Sequence, residues 1–403
     1  VPAAVSTVET HLEPAVVPAG VGAGGRTARW LAAMSIAIAA VVLVARVGRE
    51  PSADGQDSVR LVVLPVAHHL TSSDSARDDG LTDLLIAHLA RLDPPHLVVL
   101  GPVTSRAIAD AAARHDALLR SLDVALVLST SIDDSAGARL AVTLTRFADG
   151  RVVWSDVFGP SGTLSPDQWS SWVTSIGRGV AGALGRPATD TVVARASTLK
   201  QDAFEAYLRA WAGWARFDAD GLETAVKEFT VAIERDPGFV TAHVGLADAL
   251  NLRALFRHSP PRETFDAAVA AASQALRLAP DDPGALAALA LARLYSGRDL
   301  NGARDLFDRA LAREPGRALT HQWAAGAFSA AGQHDRALAM ARRAQLLDPL
   351  SPSVNSDLCW YAYFARRFED AAAHAEHAFE SFGQTSALQC AQLAYWQLGD
   401  VMR

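Results

Sequence analysis

The sequence predicts a multidomain chain with a single transmembrane helix, a small α/β domain built on a mixed sheet, and an all-α repeat solenoid. Three patterns lead to this prediction. An apolar run lies at 30–46, short β-branched runs separated by turns fill 59–160, and helical segments with a period near 34 residues occupy 201–403. The other segments are predicted as a flexible leader or linker at 1–29, a linker at 47–58 and a helical connector at 161–200.

Composition excludes several classes of function. The chain is 50% hydrophobic, which excludes a mainly disordered protein. Its net charge of -7 argues against a chain devoted to nucleic-acid binding, because phosphate contacts need clustered Lys and Arg. The two cysteines, Cys359 and Cys390, are too few for a disulfide framework. Their different positions within the repeat favour two buried thiols over a disulfide between them.

The predicted transmembrane helix rests on Trp30–Ala45, which carries no charge. Its sixteen residues span about 24 Å at about 1.5 Å per residue, which is short of a bilayer core of about 30 Å. Arg46 can snorkel, however, and lengthen the stretch. A cleaved signal peptide is the competing interpretation. We expect a single pass through a bacterial inner membrane with an extracytoplasmic C-terminal region, although arginines on both sides leave orientation open.

The segment from Val59 to Gly159 predicts the order β-α-β-α-β-β-β. Asp149-Gly150 lies between two alternating runs and predicts a hairpin turn, because it accepts positive φ. This order is typical of a small mixed sheet with helices on one side. The predicted strands are Val59–Val66, Leu97–Leu100, Val124–Thr130, Leu140–Phe147 and Val152–Phe158, and the predicted helices are Leu81–Leu89 and Ser105–Leu119.

Beyond Gln201 small residues and a terminal proline recur at fixed offsets. The recurring sets are Ala225, Phe229, Ala232 and Pro237; Ala268, Ala272, Ala275 and Pro280; Ala303, Phe307, Ala310 and Pro315; Ala337, Ala341, Ala344 and Pro349; and Ala371, Ala375 and Ala378. Small residues let neighbouring helices approach, and the proline ends the second helix of each unit. This pattern is typical of the tetratricopeptide repeat and predicts five units and part of a sixth.

Four motifs of the α/β segment occur in a characteristic order: Leu61-Val-Val-Leu-Pro-Val, Asp79-Gly-Leu-Thr-Asp-Leu-Leu-Ile, Leu122-Asp-Val-Ala-Leu-Val-Leu and Gly150-Arg-Val-Val-Trp-Ser-Asp. They resemble the TolB amino-terminal-like domain. The resemblance implies an architecture found in CadC-like membrane regulators, where a winged-helix domain precedes one membrane helix, and in adenylate-cyclase-associated proteins. His68 departs from the family pattern. Neither a winged helix nor a cyclase domain is present, so we expect any such activity to belong to residues outside this sequence.

No catalytic constellation is found, so the sequence predicts a protein that is not an enzyme and has no cofactor or metal. His68-His69 is expected in a solvated loop. His374 and His377 lie three residues apart on one helix face, unlike the H-E-x-x-H arrangement of zinc proteases, and are expected on the surface. Asp79 is expected near a helix N-terminus.

The concave groove of the solenoid is the expected site of function, because stacked first helices of such repeats hold extended or helical peptides. The predicted groove residues are Trp214 in the first unit, Asp248 and Asn251 in the second, Gln322 in the fourth, and Trp360 and Tyr363 in the fifth. The Lys/Asn clamp for C-terminal carboxylates is absent, so a free C-terminus is not the expected ligand. The same register places Arg317 on the surface.

The sequence therefore predicts a membrane-anchored sensor or scaffold module of a bacterial regulatory protein. Its role would be signal transduction or transcriptional regulation through protein or peptide partners bound in the repeat groove, without direct nucleic-acid contact. Two alternatives remain: the regulatory portion of an adenylate-cyclase-like protein, and an envelope assembly scaffold with no signalling role.

Overall fold

A computed structural model describes residues 58–68, 75–92, 96–133, 138–161, 165–186, 199–216, 218–297 and 299–399. All of them belong to one compact unit that spans 54–403. Within these ranges the chain is mostly helical, with fifteen α-helices beside a single mixed sheet.

The predicted fold class is wrong about the membrane-spanning helix. In the part of the chain that the structure describes, no helix is both long and apolar enough to cross a bilayer. The longest described helices have 18 residues, Pro166–Ala183 and Pro261–Leu278, and each buries only one face. The segment 30–46, to which the prediction assigned the helix, lies outside the described residues. The fold class is corrected to a mostly helical repeat protein that carries an α/β portion.

The sheet is mixed, with the spatial order β3-β1-β4-β5-β6 and the short β2 also beside β4. Strand β1 pairs in parallel with β3 and β4, whereas β4, β5 and β6 are antiparallel. Gly150 adopts a positive φ of 67° in the turn between β5 and β6, as the hairpin signal predicts. The strands are β1 Val59–Val63, β2 Ala67–His68, β3 Leu97–Val99, β4 Leu126–Asp133, β5 Ala138–Arg146 and β6 Val152–Ser161.

Helices cover both faces of the sheet, not one face as the sequence predicts. On one face Leu61 packs in a core with side chains of α1 and α4. On the other face Val62 packs with Ile108 of α2 and Leu119 of α3. A short 3-10 turn separates α2 from α3, where the sequence predicts one continuous helix. The four helices are α1 Ser75–Leu89, α2 Pro102–Asp110, α3 His115–Ser121 and α4 Pro166–Ala183.

The tetratricopeptide architecture is confirmed by five antiparallel helix pairs and an eleventh helix. We call the first helix of each pair A and the second B. The recurring small or aromatic positions of the B helices are all at most 2% exposed, which confirms the register. The pairs are α5 Gln201–Ala215 and α6 Ala219–Arg235; α7 Val240–Leu255 and α8 Pro261–Leu278; α9 Pro283–Ser296 and α10 Leu300–Arg313; α11 Ala318–Ala330 and α12 His334–Leu347; α13 Pro352–Phe364 and α14 Phe368–Phe382; the further helix is α15 Thr385–Leu398.

A disulfide joins the last two A helices. Cys359 of α13 and Cys390 of α15 are bonded, with their Cα atoms 6.3 Å apart. The sequence favours two buried thiols because the two cysteines occupy different repeat positions. Contact between neighbouring A helices, and not equal position in the repeat, decides which side chains meet.

The α/β portion packs against α5 and against the turn edge, by which we mean the turns that follow the B helices at 236–239, 279–282, 314–317 and 348–351. A Cβ atom on Gly80 would lie 2.8 Å from the carbonyl oxygen of Leu208 in α5. A Cβ atom on Gly316 would lie 2.6 Å from the carbonyl oxygen of Ala90. Only glycine allows these two close backbone approaches.

Asp348, which belongs to the turn edge of the solenoid, caps the N-terminus of helix α2 in the α/β portion. The N-cap residue Gly101 provides no side-chain acceptor. Instead, Asp348 Oδ1 accepts hydrogen bonds from the backbone N–H of Thr104 at 2.8 Å and from its hydroxyl at 2.5 Å. The N–H of Gly101 donates to the carbonyl oxygen of Leu347 at 2.7 Å. A carboxylate at a helix N-terminus satisfies donors that would otherwise be orphaned.

Replacing this cap should loosen the docking. We expect Asp348→Ala to lower the free energy of unfolding by about 1–3 kcal/mol, because it leaves buried donors of Thr104 without an acceptor. Amide hydrogen exchange at the start of α2 should accelerate. The matched control is Asp236→Ala at the same position of the first unit, where, among the described residues, the carboxylate accepts from the exposed N–H of Gly238 alone. A change within about 0.5 kcal/mol is expected there; equal losses for the two variants would contradict the capping role.

Candidate functional site

Trp214, the predicted groove residue of the first unit, lies in the protein core. It is buried and packs edge-on against Trp211, with ring centroids 5.1 Å apart. Trp211 in turn contacts Phe229 of α6. The indole of Trp214 therefore contributes to packing between the helices of the first unit and presents little surface to a partner.

Asp248 and Asn251, the predicted groove residues of α7, are fully buried. The side-chain amide of Asn251 donates to the carbonyl oxygen of Ala288 at 3.0 Å and so joins α7 to α9. Asp248 Oδ2 accepts from Arg317 Nη2 at 2.6 Å. Both polar side chains are thus engaged in contacts between repeat units.

Arg317 is largely buried and belongs to a charge network, although the sequence places it on the surface. Its guanidinium lies between Asp248, Glu314 and Asp282, whose negative charges hold the pKa of Arg317 above its usual value despite burial. Arg91 at the end of α1 donates to Glu314 Oε1 at 2.6 Å. The α/β portion covers this turn, and the sequence of the repeat alone contains no sign of that cover.

Burial raises the pKa of Asp248 to about 6, against the opposing effect of Arg317. The carboxyl is therefore harder to ionise in the folded chain than in the unfolded chain. Between its ordinary value and about 6 the folded state binds more protons, so this group makes the free energy of unfolding fall as pH rises through that interval.

Gln322, the predicted groove residue of the fourth unit, is joined to a carboxylate of the fifth unit. Its Nε2 donates to Asp357 Oδ2 on α13 at 2.8 Å. Burial raises the pKa of Asp357 to about 6, and the hydrogen bond from Gln322 opposes this rise. Burial raises the pKa values of Tyr295 on α9 and Tyr361 on α13, and the negative charge of Asp357 adds to both shifts.

Trp360 lies on the same face of α13 as Asp357 and Phe364. At about 100° per residue, positions three, four and seven apart share one helix face. The rings of Trp360 and Phe364 stack with centroids 6.2 Å apart. Tyr363 lies further round the helix and contacts Phe368 at the start of α14, with centroids 5.5 Å apart.

These residues form one continuous strip along the A helices of the third to fifth units, which we call the aromatic groove: Tyr295, Gln322, Gly326, Asp357, Trp360, Tyr361 and Phe364. Gly326 of α11 lets the Tyr361 hydroxyl approach closely, because a Cβ atom there would lie only 3.4 Å from Tyr361 Oη. Tyr295 is 50% exposed and Phe364 is 49% exposed. Sequence reasoning missed Tyr295, Asp357, Tyr361 and Phe364 because it considered only a few fixed groove-facing offsets in each repeat unit. The i, i+4, i+7 spacing of Asp357, Tyr361 and Phe364 was the available signal.

The histidine pair of α14 is partly buried. Burial lowers the pKa of His374 to about 4, and it also lowers the pKa of His377. Across the described ranges, no group of three or more His, Cys, Asp or Glu is arranged to hold a metal ion. Asp79 lies within α1, and burial raises its pKa while the nearby Arg106 opposes that change.

The fold and the groove define a class of protein, a tetratricopeptide solenoid with an α/β layer docked on its turn edge. No protein-family profile and no curated protein matches the chain. Solved structures are similar to about half of it. A thermophilic TPR protein of Thermus thermophilus is 17% identical, covers 49% of this chain and 98% of its own length, and has a TM-score of 0.39.

Two further structures give similar values. PilW, a type IV pilus biogenesis factor, is 17% identical, with 50% of this chain and 88% of that chain covered and a TM-score of 0.40. YrrB, a TPR protein with an unusual peptide-binding site, is 17% identical, with 47% and 92% covered and a TM-score of 0.32. Because these scores are low, the repeat architecture rests on the helix pairs themselves. These three structures offer nothing that links the chain to TolB-like domains, CadC-like regulators or cyclases.

Removing Arg317 should expose the cost of burying Asp248. We expect Arg317→Gln to lower the free energy of unfolding by about 3–5 kcal/mol near neutral pH, because it leaves a buried carboxylate without its cation. The loss should shrink towards about pH 4, where the carboxyl is protonated. Thermal melts across this pH range measure the effect.

Two controls accompany this measurement. Arg235→Gln breaks the exposed pair with Asp202 and should change stability by less than about 1 kcal/mol. Adding Asp248→Asn to Arg317→Gln should restore part of the stability, because no buried charge then remains unpaired. A loss that is independent of pH would contradict the electrostatic role of Arg317.

Proposed function

We propose that the chain is a non-catalytic protein-interaction scaffold whose aromatic groove holds a peptide segment of a partner protein. The observation that supports this proposal is the strip of half-exposed aromatic rings beside the Gln322–Asp357 pair. Aromatic side chains with a polar tip supply large contact area and directional hydrogen bonds, and they are frequent hot spots of binding. Stacked A helices provide the elongated surface that a helical or extended peptide needs.

We also propose that partner binding is relayed to the α/β layer, as in a signalling or regulatory protein. The groove and the docking contact use the same repeat units. Helix α11 carries Gln322 and follows the turn that holds Arg91, and α13 carries Asp357 and follows the turn in which Asp348 caps α2. A shift of these A helices on binding would therefore act on the docked layer. The motif resemblance to a TolB-like domain is consistent with this role.

We further propose that the repeat region works in an oxidising, extracytoplasmic compartment. The disulfide between α13 and α15 supports this location, because disulfides persist in oxidising compartments and are rare where glutathione and thioredoxin keep thiols reduced.

The location can be tested by alkylation, because Cys359 and Cys390 are the only two cysteines in the chain. Cells are lysed in excess N-ethylmaleimide under denaturing conditions, and the intact mass of the chain is measured. We expect no adduct, and two adducts after prior reduction as the control. Two adducts without reduction would contradict an oxidising location.

The groove is tested with the full chain and a display library of random peptides of about ten residues. We expect enrichment of specific peptides, and Phe364→Ala should weaken their binding by about 1–4 kcal/mol, as truncation of a hot-spot residue does. The matched control is Phe379→Ala, which removes a ring that is 41% exposed on the B helix α14. It should leave the affinity within about 0.5 kcal/mol of wild type.

Melting curves of both variants accompany the binding measurement, because each ring is about half exposed and each truncation should cost little stability. Failure to enrich any peptide, or equal weakening by Phe364→Ala and Phe379→Ala, would rule out the aromatic groove as the binding site.

A further inference from the structure

Asp357, a half-buried carboxylate of α13, differs from Asp83 and Asp248 in having no cationic partner among the described residues. Burial raises the pKa of Asp83, Asp248 and Asp357 to about 6 in each case. Arg106 donates to both oxygens of Asp83 at 2.6 Å, and Arg317 donates to Asp248 at 2.6 Å. Among the described residues, Asp357 forms no ion pair, and the neutral amide of Gln322 is its hydrogen-bond donor.

The surroundings of Asp357 would suit a cation. The titratable groups that face it are Tyr295 from α9 and Tyr361 from its own helix, and α11 contributes the neutral Gln322. Both phenols stay protonated at neutral pH because their pKa values are raised, so neither competes for a positive charge nor repels it. Electron-rich ring faces attract ammonium and guanidinium groups, and a desolvated carboxylate attracts them more strongly than an exposed one does.

A partly desolvated carboxylate without a cation of its own chain attracts a positive charge more strongly than a fully solvated carboxylate does. Gly326 of α11 lies against the Tyr361 hydroxyl, because a Cβ atom there would be 3.4 Å from Tyr361 Oη. Asp357 is only half-buried, and Tyr295 is 50% exposed, so both residues keep surface that a partner can contact.

We propose that Asp357, with Gln322, Tyr295 and Tyr361, forms a pocket for a lysine or arginine side chain of the bound peptide. The inference rests on the proposed function and adds the chemistry of the partner. The aromatic groove supplies contact area to the rest of the peptide, and the basic side chain ends at the carboxylate. The partner segment is therefore apolar or aromatic with one basic residue at a fixed position.

Binding of a cation keeps the Asp357 carboxyl ionised and so lowers its pKa in the complex. Below about pH 6 binding must first release a proton, and affinity for a basic peptide should rise between about pH 5 and about pH 7.5. A peptide without the basic residue has no such linkage to this group, and its affinity should not rise over the same range.

The experiment pans random peptides of about ten residues on the full chain and, in parallel, on Asp357→Asn and Asp305→Asn. Asp305 is exposed on the B helix α10, so its variant has the same change in net charge away from the groove. We expect wild type and Asp305→Asn to enrich peptides with Lys or Arg at one shared position. Asp357→Asn should lose that preference.

One enriched peptide is then resynthesised with norleucine in place of its basic residue. Wild type should bind the norleucine peptide at least about tenfold more weakly than the basic peptide. Asp357→Asn should bind the two peptides with similar affinity, because the lost interaction is the one between Asp357 and the basic side chain. The melting temperature of Asp357→Asn near neutral pH should rise, since the change removes a partly desolvated charge that no cation of the chain offsets. A purely structural carboxyl would give a fall instead.

The outcomes separate the inference from the proposed function. The cation pocket would be overturned if the enriched peptides shared no basic residue. It would also be overturned if norleucine replacement weakened binding equally in wild type and Asp357→Asn. Neither result would contradict peptide binding in the aromatic groove. Failure to enrich any peptide would overturn both. The norleucine comparison and the pH series can be made on wild type alone. They can therefore contradict the cation pocket even if Asp357→Asn folds poorly.

Discussion

Carboxylates at the turn edge hold the α/β layer and the solenoid together, and the geometry of the described chain depends on them. Glu314 and Asp348 occupy the same position of consecutive units, immediately before the proline that follows each B helix. One pairs with Arg91 at the end of α1, and the other caps α2. In a simple repeat protein, each unit contacts only the units next to it along the chain. Here the α/β layer also contacts α5 of the first unit and the turns that follow the third and fourth units.

The same docking decides which part of the A-helix surface stays open. Arg317 reaches from the covered turn to Asp248 and fills the space in front of α7 with an ion pair. Asn251 closes the gap to α9 through the Ala288 carbonyl. The second unit is therefore occupied by its own polar contacts. The third to fifth units keep half-exposed aromatic rings, and this is why the aromatic groove, and not the whole concave face, is the candidate binding surface.

Much of the local structure could be predicted from the sequence, because it depends on short-range signals. Small residues at Ala225, Ala268 and their repeats set the register, and Asp149-Gly150 set the hairpin. The failures are long-range. Ser105–Leu119 is periodic enough to predict one helix, yet the structure divides it into α2 and α3. Arg317 and Asp248 lie 69 residues apart, and no pattern in either neighbourhood marks them as partners. The apolar run at 30–46 has the composition of a membrane span and lies outside the described residues, among which no helix is long and apolar enough to cross a bilayer.

Charge pairing gives a physical distinction between residues that maintain the fold and residues available to a partner. The buried carboxylates Asp83, Asp248 and Glu314 each meet an arginine of the same chain, so their desolvation is offset within the folded protein. Carboxylates paired in this way maintain the fold, because removing either partner of the ion pair leaves an uncompensated buried charge. Asp357 meets only an amide. It is half-buried, so its partial desolvation is not offset by a cation of the same chain among the described residues. A positive charge on the partner is the counter-charge that we propose for it, because a partly desolvated carboxylate attracts a cation more strongly than an exposed one does.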